Sequence, residues 1–178
     1  MENMVQPVSP VSLMYSVKKD DTKTYLGRYM TESNEKIKIL FLCTGNACRS
    51  QIAEAWARHL KSDTIDAYSA GIRPIGVSSR AIRTMAEAGI DISNHTSKHI
   101  NDLQGIDFDY VITLCDNAAE NCPVFPGKAK VIHKPFNDPY FATGTDDQVM
   151  AEFRKVREQI KHFIETLPKS LEDKKEEI

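Results

Sequence analysis

The sequence predicts an α/β fold in which a four-stranded parallel sheet is flanked by helices on both faces. Three observations carry this. Strand-like and helix-like segments alternate along residues 36–167, the order that builds parallel sheets. The strand candidates are nearly continuous apolar runs, as expected where both faces of a sheet are buried. The length of 178 residues, 41% of them hydrophobic, suits one domain with a sizeable core and not two.

Residues 1–35 are mixed in composition and lack periodicity, so the abrupt apolar run that begins after Lys36 marks a domain boundary. KIKILFLC (36–43) is the first strand. A helix follows over 50–60, with Ile52, Ala53, Trp56 and Leu60 on one face. TIDAYSA (64–70) is the second strand, leading through the turn-rich GIRPIGVSS to a helix over 79–88 that Gly89 stops. DFDYVITLC (107–115) and KAKVIHK (128–134) are the third and fourth strands. The last helix spans 146–167, with Val149, Phe153, Val156, Ile160, Phe163 and Ile164 inward and Pro168 after it. Residues 168–178 form a charged tail expected to fray.

Lys and Arg number 23 against 25 Asp and Glu, which leaves no dominant basic surface for nucleic acid. Residues 36–167 carry 16 basic and 16 acidic side chains, so any attraction for an anion must come from a local arrangement. The N-terminus has no basic start and no unbroken apolar stretch, and no run approaches the roughly 18 apolar residues that span a bilayer. The expectation is a cytoplasmic protein, away from membranes, whose thiols are kept reduced.

The four cysteines, Cys43, Cys48, Cys115 and Cys122, are confined to the middle of the chain. Cys43-Thr44-Gly45-Asn46-Ala47-Cys48-Arg49-Ser50 joins the first strand to its helix, where an open parallel sheet presents ligands. Successive backbone N–H groups at such a junction converge on a tetrahedral oxyanion, aided by the helix dipole. Gly45 relaxes the turn, and Arg49 adds a planar fork matched to two oxygens. The same groups favour a thiolate at Cys43, which makes it a nucleophile beneath the bound oxyanion. Ser50 is placed to hydrogen-bond that thiolate, and Asn46 to hold the loop's shape. Cys48 is as well explained by packing as by any role in the loop.

Cys115 ends the third strand. If that strand lies beside the first, Cys115 emerges at the same edge as Cys43. Cys122 follows after DNAAEN, and three thiols so arranged can pass a disulfide outward. Two alternatives stand beside this relay: a phosphatase, which needs only Cys43, and a zinc site, for which the intervals of four and six residues are too wide for the usual close pairs. Asp138, between Pro135 and Pro139, is the candidate acid for protonating a departing oxygen, with a plain turn aspartate as the alternative.

FLCTGNACRSQIAEAW, YSAGI, DISNHTSKHI, VITLCDNAAENCP and HKPFNDP, in that order over about 36–167, resemble the thioredoxin-coupled arsenate reductases, which share the low-molecular-weight protein tyrosine phosphatase fold. The loop alone fits either family; Cys115 and Cys122 separate them. The resemblance implies arsenate held by residues Thr44 to Ser50, attack by Cys43, assistance from Asp138, a Cys43–Cys115 disulfide and then Cys115–Cys122. It implies no resident cofactor or metal, thioredoxin or a related dithiol protein as reductant, a monomer, and a segment 115–125 that changes conformation with oxidation state. Some relatives hold potassium with residues matching Asn46, Glu54 and Ser69 beside an acidic residue. Here Lys98 stands at that acidic position, either with its ammonium in place of the ion or as an exposed loop lysine.

Overall fold

A computed structural model describes residues 35–120 and 128–172, all within one unit, Glu35–Ile178. Residues 1–34 of the expected extension, Cys122, and tail residues 173–178 lie outside the described residues.

Strand β1 (Ile37–Cys43) is the central rod of the sheet. Every residue from Ile39 to Cys43 is buried, which explains why its sequence is apolar without alternation. Helix α1 (Arg49–Leu60) returns the chain to β2 (Ile65–Gly71), and helix α2 (Ser79–Glu87) follows. A short 3-10 turn at Ile100–Leu103 precedes β3 (Tyr110–Thr113). Helix α3 (Asp116–Glu120) follows β3 directly, then β4 (Lys130–His133). After a 3-10 turn at Pro139–Phe141 comes the long helix α4 (Asp146–Thr166).

The strand order is β2-β1-β3-β4 and all three pairings are parallel. Register sets Leu42 opposite Thr113, and one further bond, Leu114 N–H to Leu42 O at 2.8 Å, carries the chain on to Cys115. The ends of β1 and β3 therefore sit side by side, as expected for Cys43 and Cys115.

Helix α4 begins at a capping box: Thr145 Oγ1 accepts from the Gln148 amide at 3.3 Å, and Gln148 Oε1 accepts from the Thr145 amide at 2.9 Å. Val149, Phe153, Val156, Ile160 and Ile164 are buried as the periodicity predicts, whereas Phe163 is only partly so. Met150, on the flank of that stripe, is fully buried.

Two expectations need correction. The third strand is shorter than the nine-residue run suggested, because the Asp109 carboxylate accepts the Lys38 amide at 2.8 Å where a ladder carbonyl would. The tail does not fray at Pro168. Residues Lys169–Glu172 form a helical turn, α5, whose Leu171 is buried in the core. One apolar side chain anchors a turn that its charged neighbours disguised.

Candidate active site

The loop between β1 and α1 is held from outside by its carbonyl groups. Cys43 O accepts from Ile72 N (3.3 Å), Thr44 O from Arg73 N (2.8 Å), Gly45 O from Ile75 N (3.1 Å) and Ala47 O from Ser78 N (2.9 Å). With the carbonyls turned towards residues 72–78, the N–H groups of 44–48 are left without acceptors among the described residues. Helix α1 compounds this. Its N-cap, Cys48, makes no side-chain cap and its first turn holds no acidic residue, so its positive end is offered to an anion.

Asn46 fixes the turn. It is the single non-glycine residue with positive φ among those described, at 45°, a conformation asparagine tolerates better than most. Its Nδ2 donates to Ser50 Oγ at 2.8 Å and Ser69 Oγ at 2.9 Å, and its Oδ1 accepts from the Lys98 amide at 2.7 Å. Gln51 Nε2 reaches both Asn46 O and Oδ1, and Gln51 Oε1 lies 2.9 Å from His95 Nδ1. Since the Gln51 oxygen can only accept, His95 donates from Nδ1. Burial pushes the His95 pKa down from its ordinary value.

Cys43 Sγ lies 3.0 Å from Ser50 Oγ. The groups behind Ser50 are ordered from the far end of the network. The buried Glu54 carboxylate accepts from Ser69 Oγ, so Ser69 must in turn accept from Asn46, whose other amide hydrogen goes to Ser50. The Ser50 hydroxyl keeps its own hydrogen free to donate to the Cys43 sulfur. Glu54 is itself balanced by Arg58 at 2.6 Å and by the Lys98 ammonium at 3.8 Å.

Cys115 meets the same loop from the neighbouring strand. Its Sγ is 3.3 Å from Thr44 Oγ1, which also donates to Asn117 Oδ1 at 3.3 Å. With the threonine proton so committed, Cys115 reaches Thr44 as an S–H donor. The sequence signal for Thr44 was only its place in the loop; the contact to Cys115 is a product of strand order.

Arg49 is buried, and its terminal nitrogens face Phe136 O at 3.1 Å and the Asp138 carboxylate. The fork expected to meet two oxyanion oxygens is thus turned to Asp138, the strongest acceptor in reach. The buried Nε is left as the unpaired donor. Asp138 is also the cap of its turn, accepting from the Tyr140 amide at 3.1 Å, so the acid candidate and the turn aspartate are one residue. Cys48 makes no contact that suggests chemistry. It is buried, hydrogen-bonded to Ser78, and burial pushes its thiol up to about 12.

Three contributors lay outside the sequence reading: the rail of residues 72–78, the Gln51–His95 brace, and Gly71. A Cβ on Gly71 would fall 2.8 Å from Asn46 N and 2.9 Å from Thr44 O. A glycine closing the YSAG strand was the available signal for this close approach.

A buried cysteine under free amides at a helix start, on a parallel sheet, defines an oxyanion-binding cysteine enzyme of the phosphatase type. Residues 38–177 match the family described as low molecular weight phosphotyrosine protein phosphatase, and the chain belongs to that family. Within it, the chain is 47% identical over 133 residues to the arsenate reductase of Halalkalibacterium halodurans, covering 75% of this chain and 95% of that one. Among solved structures, an arsenate reductase in the phosphate binding state superposes with a TM-score of 0.58 at 36% identity, covering 74% of this chain and 95% of that one. A thioredoxin-dependent arsenate reductase of Corynebacterium glutamicum gives 0.57 at 26% identity, over 80% and 65%.

Two outcomes follow from this geometry. Gly71→Ala pushes the loop amides off target, and inorganic phosphate binding measured by calorimetry weakens by about tenfold or more, the weight of one misaimed hydrogen bond, while the circular dichroism spectrum keeps its native form. The Cys48 thiol ionises near 9.0 when unfolded and only near 12 when folded. Its contribution to stability is therefore complete below pH 9 and is lost as the pH rises towards 12. Urea unfolding of wild type against Cys48→Ala across that range shows the alkaline loss shrink in the variant.

Proposed function

We propose that the protein is an arsenate reductase working through a thiol relay, recycled in a reducing cytoplasm by thioredoxin or a related small dithiol protein. The observation that carries this reading is the seat of Cys115 on Thr44, in the loop that Cys43 begins. A phosphatase has no use for a second thiol there, whereas arsenate reduction needs two electrons from two thiols within reach of each other. The relatives named arsenate reductase support it.

Arsenate is held by the amides of Thr44, Gly45, Asn46, Ala47, Cys48 and Arg49, by the Arg49 Nε–H, and by the dipole of α1, with Ser50 steadying the thiolate. The Cys43 thiolate attacks arsenic(V). As the oxyanion takes over part of Arg49, the released Asp138 carboxylate takes a proton from solvent and passes it to the departing oxygen, which leaves as water. Cys115, having lost its proton, attacks the Cys43 sulfur. The S–As bond breaks with its electron pair remaining on arsenic, arsenite departs, and a Cys43–Cys115 disulfide remains. Cys122 attacks Cys115, Cys43 is regenerated as thiolate, and the dithiol partner reduces Cys115–Cys122.

The residues that match a potassium site in some relatives do not suit one here. Asn46, Ser69 and Glu54 are bonded to each other, and Lys98 and Arg58 already compensate Glu54. Lys98 supplies covalently the positive charge that a cation would bring.

In a coupled assay following arsenate-dependent NADPH consumption with thioredoxin and its reductase, Cys43→Ser, Cys115→Ser and Cys122→Ser each stop turnover. Mass spectrometry of Cys122→Ser after one turnover finds a trapped Cys43–Cys115 disulfide. Undiminished phosphate-ester hydrolysis in the Cys115 and Cys122 variants, with no arsenate reduction in wild type, would instead identify a phosphatase. Replacing sodium by potassium at constant ionic strength leaves turnover and Tm unchanged in wild type; a potassium-specific rise in either removes the role given to Lys98.

A further inference from the structure

We propose that His133 and Asp116 form a clasp across Cys115 that keeps this thiol seated on the loop until the relay draws it out, making both positioning residues for the exchange steps. The inference rests on the relay reading above, but it arises from contacts that reading does not use.

His133 ends β4, in register with Thr113 at the end of β3. Its Nδ1 lies 2.9 Å from Thr113 Oγ1 and its Nε2 lies 3.0 Å from Asp116 Oδ1. A carboxylate only accepts, so Nε2 donates to Asp116. One imidazole therefore joins the residue that ends β3 to the residue that begins α3, and the two positions between them are Leu114 and Cys115. From the opposite side, Thr44 holds both Cys115 Sγ and Asn117 Oδ1. The bend 113–117 is fastened to the loop on one side and to β4 on the other.

The relay requires this bend to give way. Helix α3 starts on its first turn with Ala119 N–H to Cys115 O at 3.1 Å. Cys115 and Cys122 are seven positions apart, a rise of about 10.5 Å in helical register, whereas disulfide-linked residues have Cα atoms about 4.4–6.8 Å apart. Helical geometry after Cys115 cannot persist through the second exchange. At five residues α3 has little intrinsic stability, so its side-chain fastenings decide how often it opens. Asp116 is 83% exposed and His133 39%, which makes the clasp weak enough to release during turnover.

The experiment uses the full-length reduced protein without thioredoxin. Cys115 alkylation by iodoacetamide is followed by peptide mass spectrometry, and conversion to the Cys115–Cys122 disulfide is followed after one addition of arsenate. In Asp116→Ala and His133→Phe, Cys115 is alkylated about two- to fivefold faster than in wild type, the range expected for an exposed pair, and Cys115–Cys122 forms faster by a similar factor. His133→Gln, whose amide can accept from Thr113 and donate to Asp116, stays near the wild-type rates. If His133→Phe fails to fold, the exposed Asp116→Ala decides alone. A wild-type alkylation rate in Asp116→Ala, or equal acceleration in His133→Gln and His133→Phe, overturns the clasp. Absence of any arsenate-induced disulfide in wild type instead overturns the relay, and the alkylation comparison still judges the clasp separately.

Discussion

Asn46 occupies the left-handed region with all of its side-chain polar capacity engaged, two hydrogens to Ser50 and Ser69 and an oxygen to Lys98 N and Gln51. Few residue types satisfy that combination. Glycine would accept the backbone angle but lose every one of these bonds. Aspartate would keep the acceptors but lose the two donors and set a second carboxylate near Glu54. The loop's amides point inward because Asn46 turns the chain there, and Ser50, which lies against Cys43, is held by the Asn46 amide. Backbone shape and the hydrogen-bond network that reaches Cys43 thus share one buried side chain.

A site assembled in this way carries its selectivity locally. The domain supplies no net field, with equal numbers of acidic and basic residues over 36–167. What the site offers to an oxyanion is a set of groups left without partners among the described residues: the loop amides, the uncapped start of α1 and the Arg49 Nε–H. Each unpaired buried donor carries a penalty of about 1–3 kcal/mol. The surrounding structure sustains it through apolar burial, with β1 enclosed on both faces and α4 laying Phe153, Ile160 and Ile164 against the core. An anion that binds there restores the missing hydrogen bonds, so affinity is built from strain the fold already tolerates.

The parts of this arrangement that could be read in the sequence are those encoded within a few residues. The unbroken run of β1, the Cys43–Ser50 spacing at a strand–helix junction and the stripe along α4 are local patterns with physical periods. The rail of residues 72–78, the Gln51–His95 brace and the His133–Asp116 contact each join positions 17 to 44 residues apart or belong to irregular backbone, where no period exists. Leu171 illustrates a different failure, since a single anchoring residue is invisible to composition when its neighbours are charged. At the start of β3 the Asp109 carboxylate takes the Lys38 amide in place of a ladder carbonyl, a side-chain contact that an apolar run does not announce.

Strand order explains why the two exchange steps of the proposed relay make unequal demands on the fold. Cys43 ends β1, and Cys115 lies one residue beyond its lateral neighbour Leu114. Its Sγ is seated on Thr44, the residue that follows Cys43, so the first exchange joins two residues already presented to the same loop. The second exchange spans seven residues of chain and cannot be met by rotation alone. A rigid sheet edge therefore suits the step that must meet a bound oxyanion, and a short helix held by weak polar contacts suits the step that must carry oxidising equivalents away from it. Placing both on either side of one residue, Cys115, lets the oxyanion loop stay preorganised while its neighbour rearranges.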